Sequence, residues 1–531
     1  MLLSELLDDV LLGGAEILAH RAMREVEITS ITHDSRQRAA GSLFACLRGT
    51  SHDGHDHAGE AIAGGAVALL VERFCPFPVP QLQVADTRAA LGSVSSACYG
   101  HPSRSLDILG VTGTNGKTTV TYLLEKILAA AGGRPGVIGT VESRLGGRVV
   151  PALHTTPEAP DLQALLARMR DEGMTGVAME VSSHALAQHR VDGTRFAAVC
   201  FTNLSLDHLD YHGTLDAYFE VKASLFTPSY SGVAACNLDD PRGAELLRRA
   251  RLEGMTVAGF AGPSGSALPT GEAPQDLEAT VRGVGLESGP AGNRFRILAS
   301  PPAVPTPQVI PVSSPLLGAH NASNALAAAT TALMVGVPAE AVAMGLGAPI
   351  VVPGRMERVD VGEGAQVYVD YAHTPEALAT VLRSGRELAL QENGRVLVVF
   401  GCGGDRDPSK RPVMGRLAAS LADLAWVTSD NSRYEDPAVI ADEILSGMEA
   451  ATALSRTPPR RELDRQAAIE EAIGEARPGD VVILAGKGHE TGQTTGTVTV
   501  AFDDREVARQ VLVDLGRGAP ARQMLGRGAP R

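Results

Sequence analysis

The stretch LDILGVTGTNGKTTVTYLLEKILAAA, residues 106–131, constrains the fold of this chain more than any other. A short apolar run, a glycine-rich turn and then Leu123, Leu124, Ile127 and Leu128 at helical spacing predict a strand that turns directly into a helix. Such a junction is a cradle for an anion, because successive backbone N–H groups and the positive end of the helix converge while glycine lets the backbone come close. Gly113, Thr114, Asn115, Gly116, Lys117, Thr118 and Thr119 would wrap a phosphate chain, with Lys117 on its outer phosphates and the Thr118 hydroxyl on Mg²⁺. The eight-residue phosphate-loop pattern asks for glycine five positions before Gly116, where this chain has Val111, so this is not an ordinary Walker sequence. A plain strand-to-helix turn needs similar glycines; the strand before and the helix after weigh against it.

At 531 residues the chain has room for three or four domains, and 44% hydrophobic with 20% charged residues describes a soluble globular protein. A formal net charge of −14 lacks the basic field that nucleic acid needs, which leaves only local basic pockets for small anions. Glu5, Asp8 and Asp9 stand where a signal peptide would be basic, and no apolar run approaches a membrane span. The six cysteines are scattered without metal or disulfide spacing. The expectation is a cytoplasmic protein without membrane insertion, working as a monomer.

Residues 1–105 mix short strands with glycine-rich turns and read as a small α/β unit. Its HDGHDH segment interleaves His52, His55 and His57 with Asp53 and Asp56; a metal site, a polar ligand loop and a solvated turn are all open readings. From 106 to 345 strands alternate with helices, which predicts a mostly parallel sheet covered on both faces. Ligands of such sheets collect at the carboxyl ends of the strands, where Glu180, Ser182, Asp207 and His208 fall together with the phosphate loop. The Gly-, Pro- and Ser-rich segment 262–315 reads as long loops with weak strands. Asn321 and Asn324 then lie one turn apart on a helix, available to a purine or to a helix cap. Residues 346–514 carry four more strands with helices between them, a second, Rossmann-like doubly wound sheet. The tail 515–531 repeats LGRGAP and is expected to be disordered.

Eleven segments resemble, in order and spacing, motifs of the Mur ligase family: THDSR, TGTNGKTT, HTTP, MEVSSHAL, the DHLDYHG run with its following lysine, HNASN, GRMERV, DYAHTP, GCGGDRD, DNSR and GKGHE. The likeness covers about residues 30–490 and is greatest to the branch that adds the third peptide residue to a peptidoglycan precursor. It implies an ATP-dependent, Mg²⁺-requiring amide ligase of three α/β domains. The first, 1–105, would hold the UDP end of UDP-MurNAc-L-Ala-D-Glu, the second, 106–345, would activate its carboxylate, and the third, 346–514, would present a diamino acid.

The same resemblance assigns roles residue by residue. Lys117, Glu180, His208 and Lys222 would be catalytic, with Thr118, Glu180, His208 and a carbamylated Lys222 as magnesium ligands. Asn321, Arg355 and Asp370 would join the loop in holding ATP. Ser35, Thr50, Ser51 and His52 match uridine-side contacts, and Thr155, Thr156, Ser182, Gln188 and Arg190 match contacts to the muramoyl dipeptide. Arg406, Asp430, Asn431, Ser432, Arg433, Gly486 and Glu490 match the pocket for meso-diaminopimelate, whose distal carboxylate suits a planar arginine fork. Ser432 stands where the family's Asp-Asn-Pro-Arg motif has proline, which keeps L-lysine and L-ornithine open as acceptors. Folylpolyglutamate synthase and the ligase that adds D-alanyl-D-alanine share parts of the plan, but neither calls for the carboxylate-reading arginine. A phosphate-loop NTPase switch is the alternative from another class.

Overall fold

A computed structural model describes residues 1–12, 17–22, 25–49, 52–152, 154–262, 280–359, 364–450 and 459–517. Three large sheets follow one another along the chain. In the first, Ser30–Thr32, Ser42–Ala45, Ala68–Val71 and Gln81–Gln83 run parallel, with Ala19–Arg21 antiparallel at the edge. Alternate side chains of one strand go to opposite faces. Leu43 and Ala45 accordingly pack under the helices Leu3–Leu12 and Thr87–Cys98, whereas Phe44 joins Leu69, Val71 and Cys75 on the other side.

The central sheet has eleven strands with Asp107–Thr112 in its interior, flanked by parallel partners Gly176–Glu180 and Ala198–Phe201. Both faces are covered. Leu109 and Val111 meet the helices Lys117–Ala130 and Ala319–Met334, while Ile108 meets Leu162, Phe196 and Leu246. This double burial is why the strands read as continuous apolar runs.

Segment 262–315 departs from the loop-rich expectation. Val281–Gly289, Gly292–Ala299 and Gln308–Ser314 form an antiparallel wing of the central sheet, joined to Thr256–Ala261. Its inner residues Phe295, Ile297 and Ala299 are buried while Arg294, Arg296 and Leu298 face outward, the period-two alternation of a sheet with one wet face. A register shift between Val284 and Glu287, with Gly285 at φ +66°, breaks that period in the sequence. Residues 263–279 lie outside the described residues.

The third sheet places Gln366–Asp370, Val481–Ala485, Val396–Phe400, Leu424–Val427 and Arg460–Arg461 in parallel, with Glu357–Val359 antiparallel at the edge. Beneath it lies an ion pair with no solvent exposure, Arg465 to Asp504 at 2.6 Å. Arg465 also donates to the carbonyls of Ala485 (3.0 Å), the last residue of Val481–Ala485, and Ser429 (3.4 Å), just past Leu424–Val427, two strands that flank Val396–Phe400. The last helix, Asp504–Asp514, is thereby fastened under the sheet. The expected disorder from 515 onward does not begin there: the Arg517 backbone N–H closes the helix on the Leu512 carbonyl, and its side chain donates to Ile473. Residues 518–531, with the repeat, lie outside the described residues.

Candidate active site

The phosphate loop is fixed from below by the end of the strand Ala198–Phe201. Thr114 N–H donates to the Asn203 carbonyl (2.8 Å), Asn115 N–H to Asn203 Oδ1 (2.9 Å), and the Thr202 hydroxyl to the Asn115 carbonyl (2.6 Å). Two glycines are dictated by this geometry. A Cβ on Gly113, at φ +144°, would lie 1.9 Å from Thr202 Oγ1, and one on Gly116, at φ +88°, would lie 2.4 Å from Asn324 Oδ1. The helix Lys117–Ala130 starts with no side-chain cap, which leaves its first amides facing the loop. Lys117 curls back so that Nζ donates to the carbonyls of Gly113 and Thr114, both at 2.9 Å. Burial pushes its pKa below the ordinary lysine value, with Glu180 and Asp207 opposing.

A cavity of about 670 Å³ opens in front of the loop and is walled by both the central and the third sheet. Of the expected residues, Thr114–Thr119, Thr155, Glu180, Ser182, Arg190, His208, Asn321, Arg355 and Asp370 line it. Glu180 is buried and accepts from the Thr140 backbone N–H (2.8 Å) and hydroxyl (3.0 Å). Thr156 is fully buried behind the wall; its hydroxyl donates to the Glu180 carbonyl and accepts from Ser182 N–H. Gln188 likewise stands back, its Oε1 accepting from Arg190 at 2.7 Å, and Arg190 is paired with Glu158 at 2.9 Å. Thr156 and Gln188, expected to touch substrate, are not among the residues that line this cavity.

His208 adopts φ +54°, its N–H donating to Asp207 Oδ1 at 2.9 Å, and burial lowers its pKa to about 4. Lys222 is 1% exposed. Its Nζ donates to the Gly113 carbonyl at 2.9 Å and sits 4.4 Å above the Tyr218 ring, just behind the cavity and not among its lining groups. Burial and then the neighbouring Lys117 push its pKa well below the ordinary lysine value. Among the described residues, no group of three or more His, Cys, Asp or Glu side chains is arranged to hold a metal ion.

The third sheet supplies Arg355, whose Nη2 reaches Thr118 Oγ1 at 3.3 Å and whose guanidinium lies 4.6 Å over the Tyr371 ring. Asp370 accepts from Met356 N–H (2.7 Å) and Ala372 N–H (2.8 Å); burial raises its pKa to about 6, against the pull of Arg355 and those amides. Asn321 donates to the Leu317 carbonyl and accepts from Asn324, so the two amides are linked to each other.

A second cavity, about 300 Å³, is lined by Arg406, Asp430, Asn431, Arg433, Gly486 and Glu490. Ser432 is buried and turned away from it. Asn431 Nδ2 donates to Glu490 Oε2 at 2.8 Å, and Arg433 Nη1 to the Gly404 carbonyl at 2.6 Å. Asp207, His208, Tyr371, His373 and Glu376 line both cavities, so the two share a wall.

In the first sheet's unit, Ser35 donates to Glu60 at 3.2 Å and the exposed His52 stands edge-on to His57; neither lines either of these two cavities, and Thr50 and Ser51 lie outside the described residues. The histidine-rich segment is a structured turn. Asp53 caps it and meets His55 Nδ1 at 2.6 Å, and His55 Nε2 accepts from Glu72 N–H at 3.0 Å, which occupies both ring nitrogens.

Motif matching misses Thr140, Glu158, Tyr371 and Lys410, and places Asp207 only as one of the polar strand-end residues. Asp207 sits in the shared wall, where desolvation pushes its carboxyl up but the facing His373, His208, Lys410 and Lys117 outweigh it and leave the carboxyl below the usual range. Lys410 is visible in the sequence as the cation that follows GGDRD, and Glu158 as the acid that follows HTTP.

Three family profiles match in chain order: Mur ligase family, catalytic domain over residues 27–98; Mur ligase middle domain over 111–332; and Mur ligase, glutamate ligase domain over 354–488. The chain is 43% identical over 498 residues to the UDP-N-acetylmuramoyl-L-alanyl-D-glutamate–2,6-diaminopimelate ligase of Gloeobacter violaceus, covering 93% of this chain and 95% of that one. A solved structure of a ligase with that same name superposes with TM-score 0.62 at 31% identity, covering 92% of this chain and 96% of the other. The D-alanyl-D-alanyl ligase of Acinetobacter baumannii shares the fold, at TM-score 0.59 and 21% identity over 93% and 94% of the two chains.

Proposed function

The chain belongs to the Mur ligase family, and from that premise we propose that it joins meso-diaminopimelate to the D-glutamate side-chain carboxylate of UDP-MurNAc-L-Ala-D-Glu at the expense of ATP. A carboxylate is a poor electrophile and an ammonium is no nucleophile, so the work lies in neutralising charge and aligning the partners. The carboxylate takes the terminal phosphoryl group of ATP, giving an acyl phosphate and ADP. The free amine of the diamino acid then attacks the acyl carbon, and the tetrahedral adduct expels phosphate to leave the amide.

In this reading Lys117 and the amides of Gly113–Thr119 hold the phosphates, and Arg355, Asn321 and Asp370 hold the rest of the nucleotide. Thr155, Ser182 and Arg190 meet the muramoyl dipeptide, with Thr156 and Gln188 keeping them in place. Ser35, Thr50, Ser51 and His52 are assigned to the uridine end. The oxygen donors of Thr118 and Glu180 suit Mg²⁺, which supplies charge neutralisation at the phosphates when bound, and His208 stands neutral beside them. Lys222 fits that set only as a carbamate. A neutral amine is what adds CO₂, its lone pair forming the N–C bond while one proton leaves, and the depressed pKa of Lys222 provides that amine.

The observation that carries the proposal is the shared wall. An acyl group activated in the larger cavity and an amine held by Arg406, Asp430, Asn431, Arg433 and Glu490 in the smaller one are separated only by Asp207, His208, Tyr371, His373 and Glu376. We also propose the division into units 1–105, 106–345 and 346–514, and a cytoplasmic monomer as the working form; no helix among the described residues is long and apolar enough to cross a membrane.

The test is ADP release by the purified chain with UDP-MurNAc-L-Ala-D-Glu and, in turn, meso-diaminopimelate, L-lysine and L-ornithine. Release that requires both substrates and is fastest with meso-diaminopimelate is expected. ATP turnover indifferent to both would mean a switch-like NTPase.

A further inference from the structure

The strands Gly492–Thr495 and Val498–Ala501 form a two-stranded hairpin that belongs to none of the three large sheets and buries none of its own residues. A hairpin with no core has little stability by itself. What holds it is the turn that carries the acceptor-pocket residues. Arg433 N–H donates to the Thr494 carbonyl (3.2 Å), Gly496 N–H to the Arg433 carbonyl (2.6 Å), and Thr494 N–H to Asn431 Oδ1 (2.9 Å). Gln493 Nε2 reaches the Asp430 carbonyl (3.3 Å), and the hydroxyls of Ser432 and Thr495 meet at 3.3 Å. At the hairpin root the buried Lys487 donates to the Gly492 carbonyl (2.5 Å) and to Glu490 (3.3 Å).

The turn needs that support. Arg433 lies at φ +50°, a left-handed conformation that a bulky side chain adopts only when its surroundings enforce it. Ser432 lacks the ring that would fix φ where the family motif has proline. Asn431 has its oxygen held by Thr494 and its nitrogen spent on Glu490, so one amide links the hairpin to the carboxylate facing the pocket.

We propose that this hairpin, through Thr494 and Thr495, is the specificity brace of the acceptor pocket. It replaces the missing proline by holding Arg433 and Asn431 in the one arrangement that reads a distal carboxylate and an ammonium together. The inference rests on the acceptor reading above and adds residues that touch no substrate. In this arrangement Thr494 N–H points away from the hairpin partner, so Thr494→Pro removes the bond to Asn431 and leaves the backbone ladder intact, though it also removes the Thr494 hydroxyl that meets Thr499 at 2.9 Å. Thr495→Val removes only the hydroxyl facing Ser432.

The experiment measures steady-state KM for ATP, UDP-MurNAc-L-Ala-D-Glu, meso-diaminopimelate and L-lysine in the whole enzyme and in both variants. The expected result is a fivefold or greater rise in KM for meso-diaminopimelate, values within twofold for ATP and the UDP substrate, and a fall in the preference for meso-diaminopimelate over L-lysine. An unchanged preference, or an equal weakening of all substrates, overturns the proposal. If Thr494→Pro fails to fold, the conservative Thr495→Val decides alone. A wild-type enzyme that does not use meso-diaminopimelate overturns the acceptor reading itself, before any variant is compared.

Discussion

Arg355 Nη2 lies 3.3 Å from the Thr118 hydroxyl, so the third sheet's unit touches the phosphate loop directly. Its guanidinium is also stacked over Tyr371, a residue of the wall between the two cavities. Replacing Arg355 by Ala removes a charged hydrogen-bond donor and a cation–π interaction, together about 2 kcal/mol or roughly thirtyfold. Under the proposed function the KM for ATP rises by about that factor, and the KM for the diamino acid stays within about twofold; steady-state kinetics with each substrate varied in turn checks both.

Arg433→Ala is expected to act on the other side of the wall. If Arg433 pairs bidentately with the distal carboxylate, as proposed, its loss costs on the order of a hundredfold in kcat/KM for meso-diaminopimelate. ATP binding, read by nucleotide titration, is unaffected. L-Lysine, lacking the second carboxylate, is impaired far less, so the selectivity between the two acceptors collapses.

Asp370 has a folded pKa of about 6 against an ordinary value of 3.8, raised by burial. With the folded value above the unfolded one, its contribution to stability is fully present below about 3.8 and is lost as pH rises through 6. Melting temperatures of wild type minus those of Asp370→Asn should therefore decline between pH 4 and 6 and level off above that window. A difference that rises with pH contradicts the burial assigned to this carboxylate.

The Arg465–Asp504 pair is buried without exposure. Asp504→Asn leaves the guanidinium uncompensated and is expected to destabilise the fold by about 3–5 kcal/mol, while Arg465→Met with Asp504→Leu costs much less. Denaturant unfolding of the three proteins measures it. Since Arg465 also holds Ser429 and Ala485, next to Asp430 and Gly486, the single variant weakens diamino-acid binding as well.

Under the proposed carbamate role, Lys222→Ala is expected to reduce ligation by about a hundredfold, without lowering the melting temperature of the nucleotide-free protein by more than a few degrees. Depleting dissolved CO₂ from the wild-type assay should lower the rate reversibly, and labelled bicarbonate should give a carbamate signal that the variant lacks.

Much of this is legible in the chain. The loop 113–119 announces itself because strand, glycines and helix are contiguous, and Arg406, Asp430, Asn431, Arg433, Gly486 and Glu490 sit in short motifs at strand ends that one cavity gathers. Three kinds of information are not local. The antiparallel wing 281–314 hides behind a bulge and glycines that break its alternation. Thr156 and Gln188 share motifs with residues that face the cavity, but only the fold shows that they bond to Ser182 and Arg190 and are not among its lining groups. Asp207 and Thr140 matter through neighbours distant in sequence, such as Lys410 and Glu180, and no spacing rule predicts those meetings.

The partition formed by Asp207 and His208 from one sheet's unit and Tyr371, His373 and Glu376 from another has a consequence for timing. Both chambers are lined from both units, so under the proposed function an acyl phosphate formed without that contact would meet water before it met an amine. A compound lodged against Asp207 and His373 would therefore reach into both chambers at once and compete on both sides of the wall.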